Sequence, residues 1–272
     1  MTKSVPINIK NSIEAVSFAV NFSRPFDQAE QESIQGIENL LKEDFPIFNK
    51  LEGIGFQVTA NQVQQLPQDV AQLKGILLQK LDDQVGKVTW QLRVSEGSIQ
   101  VTCSQYDHWK NVWPKALGYI TSALKFLNVE TLTIASIGCQ IVDKFVYEDE
   151  VGDYKLSEIF NDKSEFLTPR VNSAGRLWHI YQGWFESLAP VPGSKLLSQL
   201  NLTSSVIGEK LTASIDSVGQ CICEHPLVID LATIGSLERS VLSAVLNTIH
   251  ENNKNTLLKL LSQEKAKEIG LI

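Results

Sequence analysis

The chain predicts an α+β fold, with antiparallel sheets backed by long helices, and three observations carry that prediction. Residues 87–94 and 99–103 alternate apolar and polar on either side of Ser95-Glu96-Gly97-Ser98, the pattern of a β-hairpin. Directly after it, Trp113, Ala116, Leu117, Ile120, Leu124 and Leu127 recur at helical spacing on one face. The second half repeats the theme, with extended patterns at 209–215 and 220–229 followed by a long apolar-periodic stretch at 236–264. A length of 272 residues, with 43% hydrophobic and 20% charged side chains, is ample for such a core.

Taken in order, Ile13 to Phe22 alternates as a partly buried strand that stops at Arg24-Pro25. A helix then starts at Asp27, with Glu30 three residues later in capping-box position and Ile34, Ile37, Leu40 and Leu41 as its apolar stripe. Asp44-Phe45-Pro46 closes it. Residues 53–68 carry no charge and five glutamines, and read as a strand followed by a polar connection. Past the hairpin and its helix, Thr131 to Tyr147 forms one long strand, with Gly138 as an expected bulge. Between Glu148 and Glu165 lie seven acids and two lysines, a solvated acidic segment. Trp178 to Phe185 is an aromatic strand whose Trp178, Ile180 and Trp184 share a face, and residues 187–194 form a Pro/Gly loop. In the second half, Asp216-Ser217-Val218-Gly219 is the expected turn. Aligning it with the turn at Gly97 suggests two similar hairpin-plus-helix lobes, 1–128 and 129–272, with one continuous domain as the alternative.

Charge and motifs exclude more than they select. With 24 basic against 31 acidic side chains the net charge is −7, so no overall positive field gathers phosphates, and nucleic acid is disfavoured as a partner. No signal peptide or membrane-length apolar run is present, and four cysteines without secretory cues point to reduced thiols in the cytoplasm. No P-loop, Gly-x-Ser-x-Gly elbow, His-Glu-x-x-His or Cys-x-x-Cys occurs, and Gly53-Ile54-Gly55 lacks the third glycine of a dinucleotide fingerprint. No cofactor is expected. Cys221, Cys223 and His225 alternate on one strand face as a candidate zinc set, against the plainer reading of core cysteines. His250-Glu251 borders the apolar stripe of the last helix. With Tyr106 and Trp109 these residues form the candidate lining of a small-ligand pocket between the lobes.

Tyr106-x-x-Trp109 after a hairpin carrying Trp90, Asp44-Phe45-Pro46 after the first helix, and Leu246-x-x-x-His250-Glu251 near the C-terminus resemble a sporadically distributed, uncharacterised prokaryotic protein family of similar length. The sequence departs from that family at Lys110, where a Glu is usual, and at Leu257 and Leu258, where an aromatic is usual. The resemblance implies an accessory, antitoxin-like, immunity or phage-defence role through protein contacts. The expected function is therefore that of a non-catalytic cytoplasmic binding protein. Its partner would be a basic protein docked on the acidic segment, with a homodimer as the default assembly. The alternative is the small-ligand or enzymatic pocket.

Overall fold

The structure, a computed structural model, describes residues 4–8, 11–53, 56–59, 62–65, 72–82, 84–148, 154–187 and 191–272. In chain order its strands are β1 (Ser4–Pro6), β2 (Ile13–Phe22), β3 (Ile47–Gly53), β4 (Phe56–Thr59), β5 (Gln62–Gln65), β6 (Gln72–Leu81), β7 (Val88–Ser95), β8 (Ser98–Cys103), β9 (Thr133–Tyr147), β10 (Trp178–Ser187), β11 (Lys195–Ile207) and β12 (Lys210–Val228). Its α-helices are α1 (Gln28–Ser33), α2 (Ile37–Leu41), α3 (Trp109–Leu124), α4 (Val241–Leu260) and α5 (Gln263–Glu268). The class is α+β, built on one large antiparallel sheet ordered β10-β11-β12-β9-β2-β8-β7-β6-β3, with β1 paired to β9 and a separate β4–β5 hairpin.

Alternation divides this sheet into two chemically different faces. Val16, Phe18, Val20 and Phe22 of β2 are buried on the face that carries the helices, where α3 lies against β8 and α4 against β9 and β12. The intervening Ser17 and Asn21 point the other way, into a lattice of polar contacts. Ser17 meets Thr102 at 2.8 Å, and both Asn21 and Gln220 donate to the Ser136 hydroxyl at 2.9 Å. The larger core fills the space between α1–α4 and the strands from β6 to β9. A smaller one, around Phe145, Phe160, Trp178 and Leu260, lies under α5 and the end of α4.

Local signals explain several elements directly. The Asp27 carboxylate accepts from the Glu30 N–H, and Glu30 accepts from the Asp27 N–H, both at 2.9 Å, so the capping box is complete. Glu30 is also held by Arg24 at 2.8 and 3.0 Å. At the β7–β8 turn, Glu96 and Gly97 take φ of +53° and +84°, the left-handed pair that a two-residue hairpin loop requires.

Other expectations are corrected. The stretch 216–219 is not a turn: β12 runs through it unbroken, and the second hairpin turns at Gly208-Glu209. Gly138 is not a bulge, since it pairs regularly with Gln220 and with Ala19. The β2–β9 ladder slips instead between Ile13 and Ala15, and between Asn21 and Phe22. The helix begun at Asp27 divides into α1 and α2 around a 3₁₀ turn at Ile34–Gly36, and the 236–264 helix into α4 and α5. The β2–β9 ladder joins strands from both expected lobes, 1–128 and 129–272, in one sheet. Residues 54–55, 60–61, 66–71, 149–153 and 188–190 lie outside the described residues. Parts of the Gly53-Ile54-Gly55, glutamine-rich, acidic and Pro/Gly readings therefore lie there too.

Among the described residues no helix is long and apolar enough to cross a membrane. The ends of the chain are tied together by a buried cation. Lys265 is 0% exposed, and its ammonium donates to the Ser4 carbonyl at 2.7 Å and to Glu268 at 2.6 Å.

Candidate functional site

Where β2 and β9 meet the start of α3 and the middle of α4, a cleft of about 410 Å³ opens, within the size range of small-molecule sites. Tyr106, Trp109, His250, Asp143 and Asn253 all line it.

The wall is set by how α3 begins. His108, in extended conformation, caps the helix by accepting the Lys110 N–H on Nδ1. Asp107 accepts from Asn111 Nδ2 at 2.7 Å, which holds its carboxyl below the usual range. Trp109, the first helical residue, then lies flat on His250 of α4, with ring centroids 4.1 Å apart and planes within 9°. Its Nε1 donates to Asn247 at 2.9 Å, and one turn on, Trp113 Nε1 donates to Ser243 at 3.3 Å. Two indoles thus stitch α3 to α4, with Phe18 of β2 beneath both. Burial lowers the His250 pKa to about 4, so the ring is neutral at physiological pH. Burial also pushes the Tyr106 phenol upward, keeping it protonated.

The floor is Asp143. On β9 it continues the inward-facing series Ile137, Cys139, Ile141, so a carboxylate occupies a core position and is only 1% exposed. Opposite it, the β2 ladder slips between Ile13 and Ala15, placing Ser12 beside it. Ser12 Oγ donates to Asp143 Oδ1 at 2.6 Å, while Oδ2 is buried with no partner among the described residues. Burial raises the Asp143 pKa to about 6, with the Ser12 bond opposing the shift. Asn253 borders the cleft on one side. On its other side, with Ser217, it borders a void of about 30 Å³, room for a single water.

Of the residues expected from sequence, Tyr106, Trp109 and His250 come together here. Glu251 does not. A helical step of about 100° turns it away, and it is 61% exposed and paired with Lys254 at 3.2 Å. The three residues of the candidate zinc set lie in different environments. Cys221 is buried in the larger core, Cys223 is half-buried and His225 is exposed. The Cys221 and Cys223 thiols remain neighbours, but the ladder to β9 slips between Ile222 and Leu227, which leaves His225 outside the paired register. Among the described residues no three His, Cys, Asp or Glu side chains gather as a metal site. Sequence reasoning missed Ser12, Asp143 and Asn253. For Asp143 the signal was available: an acid in the apolar phase of the longest apolar alternation in the chain.

Two other surface hollows, beside Arg170 and His179 and beside Glu165 and Trp184, are lined by no buried, partnerless side-chain atom. No protein-family model matches the chain, and no curated protein matches it.

Proposed function

We propose that the protein is a non-catalytic binding protein that takes a small ligand in the cleft between α3, α4, β2 and β9. The observation that carries this reading is an oxygen of Asp143, without a partner among the described residues, at the floor of a cleft walled by Tyr106 and the Trp109–His250 stack. An unmatched buried acceptor costs about 1–3 kcal/mol, and a ligand donor recovers that cost. His250 stands neutral and flat against Trp109, 3.6 Å from the exposed Glu251, which suits a binding wall better than a proton relay. The four cysteines are free thiols, in keeping with a reducing cytoplasmic setting.

The same proposal includes membership in the prokaryotic family that the sequence resembles. Its support is that Tyr106 and Trp109 of the Tyr-x-x-Trp segment and His250 of the His-Glu pair, far apart in sequence, meet at this cleft. It also includes kinship of the two halves. The series β2, β8, β7, β6 runs outward from the seam on one side as β9, β12, β11, β10 does on the other, and α3 and α4 follow corresponding hairpins. The cleft then sits at the seam between two related units.

The test is thermal melting against a nucleotide and metabolite panel. A ligand at a hundredfold excess over its Kd stabilises by about 2.7 kcal/mol, and the resulting rise in Tm is expected to vanish in His250→Ala. Absence of any rise across the panel contradicts the reading.

Docking of a protein partner is a second reading. It is favoured by Tyr181 and Phe185, 62% and 63% exposed on the edge strand β10. Its check is co-purification from the native host. A partner lost on Phe185→Lys supports it, and a partner profile unchanged by that substitution opposes it.

A further inference from the structure

The charge around Asp143 narrows the chemistry of what the cleft accepts. A carboxylate in this position is stabilised either by a nearby cation or by a full set of donors. Ser12 supplies one donor, to Oδ1. Among the described residues the nearby cations are engaged elsewhere. Lys144, the next residue on β9, is held by Glu14 at 2.6 Å, and β alternation turns it to the opposite face. Lys254, on the cleft rim, pairs with Glu251, and Lys265 pairs with Glu268. Among the described residues no salt bridge reaches Asp143. Tyr106 is a protonated phenol and His250 a neutral imidazole at physiological pH, so the charged lining groups besides Asp143 are Asp107, held by Asn111, and Lys254, paired with Glu251.

We infer that the ligand presents a protonated amine whose ammonium pairs with the Asp143 carboxylate, while its carbon skeleton lies along Tyr106, Trp109 and His250. This rests on the cleft being the binding site. An ammonium fits because it brings both the missing positive charge and hydrogen-bond donors, and charge-assisted bonds are the strongest that such a floor offers. Aromatic and apolar lining from Tyr106, Trp109, Ile141, Leu257 and Leu271 suits an alkyl or aryl chain attached to the nitrogen.

The probes are three compounds of matched size, n-butylamine, 1-butanol and butyrate, titrated into the full-length protein. The readouts are calorimetry and the Trp109 indole N–H resonance, assigned by its loss in Trp109→Phe. Butylamine is expected to bind at least about tenfold more tightly than butanol, to shift the Trp109 signal, and to lose that advantage in Asp143→Asn. Equal or tighter binding of butanol or butyrate, or an unchanged preference in Asp143→Asn, overturns the amine assignment and leaves the cleft standing as a site. If neither these three nor uncharged aromatic fragments such as phenol move the Trp109 signal, the cleft itself falls and the amine assignment with it. The comparison among probes uses only the wild-type chain, so it decides the matter even if a variant misfolds.

Discussion

Asp143 is the residue on which most of this account turns, and its buried carboxyl makes a prediction about stability. Its pKa is about 6 in the fold against 3.8 ordinarily, so the protonated form is favoured by folding. The stabilisation from that proton is complete below about pH 4 and is lost as pH rises through 6, leaving a cost of about 3 kcal/mol above it. Asp143→Asn should therefore raise stability by about 1–3 kcal/mol at pH 8 and by almost nothing at pH 4. Denaturant unfolding at the two pH values checks this, and an equal gain at both contradicts it. The groups facing Asp143 do not blur the comparison. Tyr106 stays protonated, Lys254 is paired with Glu251, and Asp107 is held by Asn111. His250 has the opposite sense, adding stability above about 6.5 that is lost as pH falls through about 4, but it is common to both proteins. A residue that weakens the fold at neutral pH has a reason to be there if it binds something.

At the scale of elements, the approach of α4 to the sheet depends on one missing side chain. A Cβ at Gly219 would lie 2.4 Å from Ile249 Cγ2. Gly219→Ala is therefore expected to cost about 1–3 kcal/mol by overpacking, with much of it restored when Ile249→Ala is added. A neutral single substitution, read by thermal unfolding, contradicts that packing. The same glycine explains why the second hairpin was misplaced by sequence. Asp216-Ser217-Val218-Gly219 has turn composition, but Gly219 serves helix packing, and the true turn uses Gly208 at φ +62°. By contrast the first hairpin, the α3 stripe and the Asp27–Glu30 capping box were legible, because each is decided by residues close in sequence. The breaks at Ile34–Gly36 and between α4 and α5 were not, because they follow how the chain fits over the sheet.

For the whole molecule, the single sheet joins both halves through the β2–β9 ladder, and the cleft lies at that join. Half of the candidate site was readable in sequence. Tyr106, Trp109 and His250 could be singled out as polar and aromatic groups at the margins of apolar helices. Ser12 and Asp143 could not be brought to them, because their meeting depends on antiparallel pairing across more than a hundred residues and on a slip in its register. For Cys221, Cys223 and His225, likewise, strand alternation places side chains only while the register holds, and it slips between Ile222 and Leu227. The most direct test of the central claim is the Trp109 indole N–H resonance of the intact protein on addition of n-butylamine. A saturable shift of that signal, abolished in Asp143→Asn, is the expected result. A spectrum in which that resonance stays fixed for the amine and for every neutral fragment would contradict it.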